Sequence, residues 1–210
     1  MNETGPPNTG TCRGQAWPGC FVLASASPRR RALLGRLLKS FTVVASDIDE
    51  ERLPGEAVEG YVCRISRWKA EAVSSERGFS TRDVWVLGAD TTVVVEDEML
   101  GKPEDATQAR RMLAQLQDRD HEVITGVCLL NGHRGVCMQD VVRSRVWMRR
   151  LTPEEIDIYV ASGEPYDKAG GYAIQGLAGR FVSRVEGSYS NVVGLPLASL
   201  AEMLREAGIS

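Results

Sequence analysis

An α/β fold, in which a sheet is flanked by helices, is predicted by three observations. Short β-type runs alternate with helical-period segments from Phe21 to Glu206, an order that builds a sheet with packed helices rather than a bundle or a sandwich. The first run, Phe21–Ser25, passes almost at once into Ser27-Pro28, an N-cap residue followed by proline at the first helical position. Between the next two runs, Val58, Tyr61, Val62, Ile65, Lys69 and Val73 share one face at a 3.6-residue period, the mark of a long amphipathic helix.

Each element follows in order. The helix after Ser27 runs through Leu33, Leu34, Leu37 and Leu38, and Phe41–Ser46 is the second β-type run. The acidic loop Asp47–Glu51 and the turn residues Pro54-Gly55 lead into the amphipathic helix, with Trp68 beside its apolar face. Val84–Leu87 is a continuous apolar strand ending at Gly88-Ala-Asp-Thr91, which delivers Asp90 at the strand end. Val93–Val95 resumes β character before a turn at Glu96–Glu98. After Gly101-Lys-Pro103, the segment Asp105–Gln117 places Ala109, Met112, Leu113 and Leu116 at helical spacing. His121–Leu130 and Val136–Met148 are two longer strands joined at Asn131-Gly132, a hairpin signal. Thr152-Pro-Glu-Glu155 has the capping-box pattern and opens a helix that Gly163 stops. Glu164–Gly187 is irregular and glycine-rich, with a strand around Phe181–Val185, and Leu197–Glu206 is the last helix.

Composition narrows the class of function. At 210 residues, 43% apolar and 25% charged, the chain is globular and neither disordered nor collagen-like. Lys and Arg number 25 against 28 Asp and Glu, a net charge of −3. That balance lacks the broad positive field that holds nucleic acid, so any anion site is local. The apolar stretches Val127–Leu130 and Val192–Leu197 fall far short of the roughly 20 residues that span a bilayer. Five cysteines without a Cys-x-x-Cys spacing argue against a disulfide framework and fit a reducing cytoplasm, with Cys128 as a buried small hydrophobe. Residues 1–19 lack the basic flank and apolar region of a secretory signal. They are read as a mobile extension before a single domain at 20–210.

Three constellations can carry chemistry. Ser25-Ala-Ser-Pro-Arg-Arg-Arg31 sets hydroxyls and guanidinium groups at a helix N-terminus, an anion site; the alternative is a capped helix with solvated arginines. In Gly88-Ala-Asp-Thr-Thr92 the carboxylate of Asp90 follows a buried strand, suited to catalysis or metal binding or else a turn residue. Glu50 can complete a site for Mg²⁺ or Mn²⁺, which prefer oxygen ligands, or belong to a solvated acidic loop. Among isolated cations, Lys69 shares the apolar face of its helix, so it either snorkels to water or points into a polar cleft. Lys102, fixed between Gly101 and Pro103, suits a phosphate contact or a surface turn, and Lys168 stands in Asp-Lys-Ala-Gly-Gly. A P-loop, a Gly-x-Gly-x-x-Gly after the first strand and a Gly-x-Ser-x-Gly elbow are all absent, and His121 and His133 make no helical metal pair.

The order of six blocks resembles the Maf family of nucleoside triphosphate pyrophosphatases over roughly Phe21 to Glu206. The blocks are Leu-Ala-Ser-Ala-Ser-Pro-Arg-Arg (23–30), Gly-Ala-Asp-Thr (88–91), Gly-Lys-Pro (101–103), Tyr-Val-Ala-Ser-Gly-Glu-Pro (159–165), Asp-Lys-Ala-Gly-Gly-Tyr-Ala-Ile-Gln-Gly (167–176) and Gly-Ser-Tyr-Ser-Asn-Val-Val-Gly-Leu-Pro-Leu (187–197). The resemblance implies an elongated mixed sheet flanked by helices, inosine-triphosphatase-like, with two lobes around a central nucleotide-binding cleft. It implies cleavage between the α- and β-phosphates to a nucleoside monophosphate and pyrophosphate, with a divalent cation. Asp90 then matches the proton acceptor, Ser25, Arg30, Lys69 and Lys102 the phosphate-handling residues, and Glu50 an acidic position that with Asp90 can hold the metal.

Arg29, Thr91 and Gln175 resemble the pyrimidine-directed subgroup, where the subgroup acting on 7-methylated guanosine triphosphate is expected to carry tryptophan, glutamine and glutamate. The expected partners are therefore dTTP and UTP, small molecules rather than nucleic acid or membrane, and a homodimer is left open. The rival reading is a nucleotide-binding regulator of cell division with little turnover. A haloacid-dehalogenase-type phosphatase is disfavoured, because Asp90-Thr91-Thr92 lacks its Asp-x-Asp motif.

Overall fold

The computed structural model describes residues 21–209; the extension expected at residues 1–19 lies outside them. The chain forms β1 (Phe21–Leu23), α1 (Pro28–Leu34), β2 (Thr42–Val43), α2 (Val58–Glu76), β3 (Trp85–Val95), β4 (Glu98–Leu100), α3 (Ala106–Leu116), β5 (Arg119–Asn131), β6 (Val136–Met148), α4 (Pro153–Ala161), β7 (Val182–Glu186), α5 (Tyr189–Val193) and α6 (Leu197–Glu206). One seven-stranded sheet has the order β2-β1-β3-β5-β6-β7, with β4 also paired to β3. β1 runs parallel to β2 and β3, and the other pairings are antiparallel. The predicted α/β class with a mixed sheet is therefore what forms.

Helices cover both faces because the central strands are apolar on both. On one face α2 packs Val62 and Ile65 with Val94 and Ile124, and Ala70 and Val73 with Val22 and Val86. The other face carries two separate apolar clusters. Leu33 and Leu34 of α1 join Leu200 and Leu204 of α6 against Trp85, Leu87 and Leu129. Leu113 and Leu116 of α3 join Ile156 and Tyr159 of α4 against Val93, Val95 and Val123. Thr91 falls between these two clusters at the middle of β3, while Asp90 and Thr92 point to the α2 face, between Val86 and Val94.

That placement corrects the reading of Asp90 as a strand-end residue. Gly88 and Asp90 have turn preference, but β3 pairs with β5 without a break from Val86↔Leu130 to Val94↔Glu122, and ladder hydrogen bonds outweigh local propensity. The two glycines under α2 have a steric reason. A Cβ on Gly88 would lie 2.0 Å from the carbonyl oxygen of Ser66, and one on Gly126 2.4 Å from that of Val62. Gly126 is the β5 partner of Asp90, so one turn of α2 rests directly on the sheet beside that carboxylate.

Other boundaries differ for local reasons. α1 ends at Leu34, with Gly35 as its C-cap, and Leu37 and Leu38 follow in single turns. β2 spans only Thr42–Val43 of the expected Phe41–Ser46. The turn expected at Glu96–Glu98 narrows to Glu96 and Asp97, both at positive φ, as a two-residue hairpin requires, and Glu98 already belongs to β4. α5 was not expected; the Ser188 side chain caps it by accepting from the Asn191 N–H.

Candidate functional site

The first part of the site is built by α2. Val62 and Ser66 touch the sheet through their backbone, and Lys69 is the next residue on that face. Its Nζ lies 2.7 Å from Asp90 Oδ1 and 2.9 Å from Glu50 Oε1. The Lys69 and Asp90 side chains are 9% and 8% exposed, whereas Glu50 is 43% exposed. Lys69 thus points into a polar cleft, where its charge compensates a buried carboxylate that would be costly alone. The acidic loop is tied to the same helix, because the Tyr61 hydroxyl donates to the Glu50 carbonyl at 3.0 Å. Burial, with the nearby charges of Asp90 and Glu50, raises the Tyr61 phenol above its ordinary value and keeps it a donor.

The second part gathers around Arg30. Ser27 caps α1, and its Oγ accepts from the Arg30 N–H at 3.3 Å. The guanidinium donates from Nε to the Gly194 carbonyl at 2.9 Å, from Nη2 to Thr91 Oγ1 at 3.0 Å and from Nη1 to Ser25 Oγ at 3.4 Å. Three contacts fix the plane of the group, and a guanidinium has five N–H donors, so donors remain for an anion. Burial pulls the Arg30 pKa below its ordinary value, against the opposing charges of Asp90 and Glu50. Thr91 Oγ1 also bonds Thr125 Oγ1 at 2.9 Å, and Thr125 donates to the Asn191 carbonyl at 3.3 Å. Gly194, at φ 120°, turns its carbonyl to Arg30.

A third part closes the opposite side. Arg29 pairs with Asp167 at 3.3 Å, and Lys168 pairs with Asp167 and donates to the Glu164 carbonyl at 2.6 Å. Lys102 is exposed on its loop, which is pinned where Gly170 N–H donates to the Gly101 carbonyl at 2.9 Å. Together these elements enclose a cleft of about 540 Å³ lined by Ser25, Arg29, Arg30, Glu50, Lys69, Asp90, Thr91, Lys102 and Gln175. The site residues Ser25, Arg29, Arg30, Glu50, Lys69, Asp90, Thr91, Lys102 and Gln175 are all brought to one cavity, of the size that takes a small ligand, and Arg31 is not.

Several lining and supporting residues were missed. Tyr172 lines the cleft, and its hydroxyl shares a 2.7 Å hydrogen bond with His121 Nε2. Burial lowers the His121 pKa to about 4. Thr125 and His121 act across strands from β5, where neither spacing nor motif signals a role; Tyr172 and Asn191 lie inside blocks 167–176 and 187–197, which were the available signal. Among the described residues no cluster of three or more His, Cys, Asp or Glu side chains is arranged to hold a metal. Asp90 and Glu50, which share one ammonium, do suit a hard cation of the kind bound by one or two carboxylates plus substrate oxygens.

A protein-family profile described as Maf-like protein matches residues 20–207. The chain belongs to the Maf family. Similar Maf relatives include the dTTP/UTP pyrophosphatase of Myxococcus xanthus, 53% identical over 189 residues that cover 90% of this chain and 93% of that protein. That of Anaeromyxobacter dehalogenans is 53% identical over 190 residues, covering 90% and 94%. That of Geotalea uraniireducens is 49% identical over 188 residues, covering 90% and 95%. In this Maf chain the blocks at 23–30, 88–91, 101–103, 167–176 and 187–197 all contribute to the cleft wall. No helix among the described residues is long and apolar enough to cross a membrane.

Proposed function

We propose that this protein is a nucleoside triphosphate pyrophosphatase that cleaves dTTP and UTP to the monophosphate and pyrophosphate. The observation that carries the reading is the buried Asp90–Lys69 pair in a cleft whose other charged lining sets Arg29, Arg30, Lys102 and Lys168 against Glu50 and Asp167. The names of relatives about half identical over 90% of the chain support the same activity.

Hydrolysis of a phosphoanhydride needs the spread negative charge held by fixed cations and a water aligned with the leaving group. Arg30 and Lys102 hold phosphate oxygens, with Ser25 fixing one arm of Arg30. Lys69 anchors Asp90 through Oδ1, and the carboxylate orients the attacking water and accepts its proton. Asp90 and Glu50 would hold a divalent ion, Mg²⁺ or Mn²⁺, which when bound neutralises charge on the phosphate chain. Arg29, Thr91 and Gln175 select the base; the primary amide of Gln175 offers one donor side and one acceptor side, which suits a pyrimidine edge.

The test is a nucleotide panel of dTTP, UTP, CTP, ATP, GTP and 7-methyl-GTP on the full chain, with Mg²⁺, with Mn²⁺ and with chelator, products identified. Monophosphate and pyrophosphate from dTTP and UTP are expected, and Asp90→Asn should lose about 10²–10⁴-fold in turnover while keeping its fold. Orthophosphate with a diphosphate product, or an unimpaired Asp90→Asn variant, would overturn the assignment.

A further inference from the structure

We propose that Glu164, which lies outside the cleft, is a positioning residue: its carboxylate clamps the turn that presents Gln175 and so sets base selectivity. The inference rests on the base-reading role given to Gln175 above. Glu164 opens a 3-10 turn directly after Gly163, which stands at φ 77°. Its Oε1 accepts from the Tyr159 hydroxyl at 2.9 Å and from the Ala178 N–H at 3.4 Å, and its Oε2 accepts from the Leu177 N–H at 3.0 Å. Tyr159 is fully buried, and its hydroxyl oxygen accepts from the Ala173 N–H at 3.2 Å.

Between those anchors, the Gly176 N–H donates to the Ala173 carbonyl at 3.0 Å and closes a turn with Ile174 and Gln175 at its corners. One buried tyrosine and its partly buried carboxylate partner therefore hold the chain entering the turn and the chain leaving it. Gly176 has an extended backbone, φ −113° and ψ −153°, so its glycine is not required by conformation. A Cβ there would lie 2.3–2.5 Å from the Glu164 carboxylate atoms, so any larger residue at 176 has to displace that carboxylate. Burial and the facing Glu164 charge hold the Tyr159 phenol above its ordinary value, which keeps the donor protonated.

Asp90 and Arg30 are held by α2, β3 and the Gly194 carbonyl, none of which hydrogen-bonds Glu164. Loosening the clamp should therefore disturb recognition of the base and spare the chemical step. Steady-state kinetics with UTP and CTP test this on the full chain for Glu164→Ala, Glu164→Gln, Gly176→Ala and the double variant, with Gln175→Ala alongside and melting curves for each. Glu164→Ala should raise KM for UTP about tenfold and compress the UTP-to-CTP ratio, with kcat within about twofold. Glu164→Gln should recover part of the loss, since its amide oxygen still accepts from Leu177 while an NH₂ at the Oε1 position can no longer accept from Tyr159 or Ala178. Gly176→Ala should reproduce Glu164→Ala, and the double variant should be no worse than either, because removing the carboxylate vacates the space.

A uniform fall in kcat for both nucleotides, or an unchanged ratio in Glu164→Ala while Gln175→Ala changes it, overturns the clamp and leaves the Gln175 reading standing. A changed ratio in Glu164→Ala with none in Gln175→Ala removes Gln175 as the reader and, with it, the claim that Glu164 acts through Gln175. If neither variant alters the ratio, both fail.

Discussion

Lys69 Nζ and Asp90 Oδ1 stand 2.7 Å apart where α2 rests on β3, and Glu50 reaches the same ammonium from the solvent side at 2.9 Å. The arrangement is asymmetric. Losing Asp90 leaves Lys69 with a partner, whereas losing Lys69 leaves a buried carboxylate with none.

Lys69→Met should therefore destabilise the fold by about 3 kcal/mol, in the range for breaking a buried ion pair from one side. Asp90→Asn alone should cost clearly less. Adding Asp90→Asn to Lys69→Met should restore most of the stability and none of the activity. Urea unfolding of the two single variants and the double variant checks this; strictly additive costs would show that the two groups do not sense each other.

Arg30 and Arg31 are neighbours with opposite fates, since Arg30 bridges Gly194, Thr91 and Ser25 while Arg31 is exposed. Arg30→Ala should lower kcat/KM by roughly 10- to 100-fold, the scale of a lost charge-assisted hydrogen bond. Arg30→Lys should not rescue it, because one ammonium cannot span three acceptors and a phosphate. Arg31→Ala should change little, and equal damage from it would mean the cradle is assigned one residue out of place.

The helix signals at Ser27-Pro28 and Thr152-Pro153 were legible because caps are local chemistry, and both side-chain caps form. The Gly88-Ala-Asp-Thr segment misled for the same reason. Its turn preference is local, while the β5 ladder that overrides it comes from residues 122–130. β4 and α5, at three and five residues, are too short to show a period. All the cleft residues named from sequence lie in motif blocks or on a periodic face, apart from Glu50 in its acidic loop. Whether Lys69 turned to solvent or inward was undecidable until Gly88 and Gly126 were seen to seat α2 against the sheet. The Thr91–Thr125 contact is a product of strand register, and Asn191 and Tyr172 reach Thr125 and His121 from α5 and a loop packed on the sheet; one-dimensional spacing is blind to both.

His121 is buried neutral beneath the cleft, its pKa lowered by desolvation from 6.5 to about 4. The unfolded chain therefore takes up a proton on this ring at a higher pH than the native state does. Its contribution is intact above the unfolded value and is lost as pH falls from 6.5 towards about 4, to an extent of no more than ~3 kcal/mol. His121→Gln, which can still bond the Tyr172 hydroxyl, should flatten the stability profile across that window relative to wild type. Unfolding by urea at several pH values between these limits reads the difference; parallel profiles would mean that the ring titrates normally in the native state.

Gln175 stands exposed at the cleft edge beside Ile174, on the turn closed by Ala173 and Gly176. A carboxylate at this position can accept hydrogen bonds but not donate, so Gln175→Glu should impair recognition of a pyrimidine edge that presents both donors and acceptors. It also adds a negative charge near a polyanion, and that repulsion acts on every nucleotide alike. The two effects separate in the ratios. Repulsion raises all KM values together, whereas loss of base pairing should lower kcat/KM for dTTP and UTP by a further five- to tenfold or so relative to ATP, GTP and 7-methyl-GTP, the scale of one mispaired polar group. Competitive measurements with nucleotide mixtures give those ratios directly. Ratios that stay fixed while every KM rises would reduce Gln175 to a bystander and move base selection to Arg29 or Thr91.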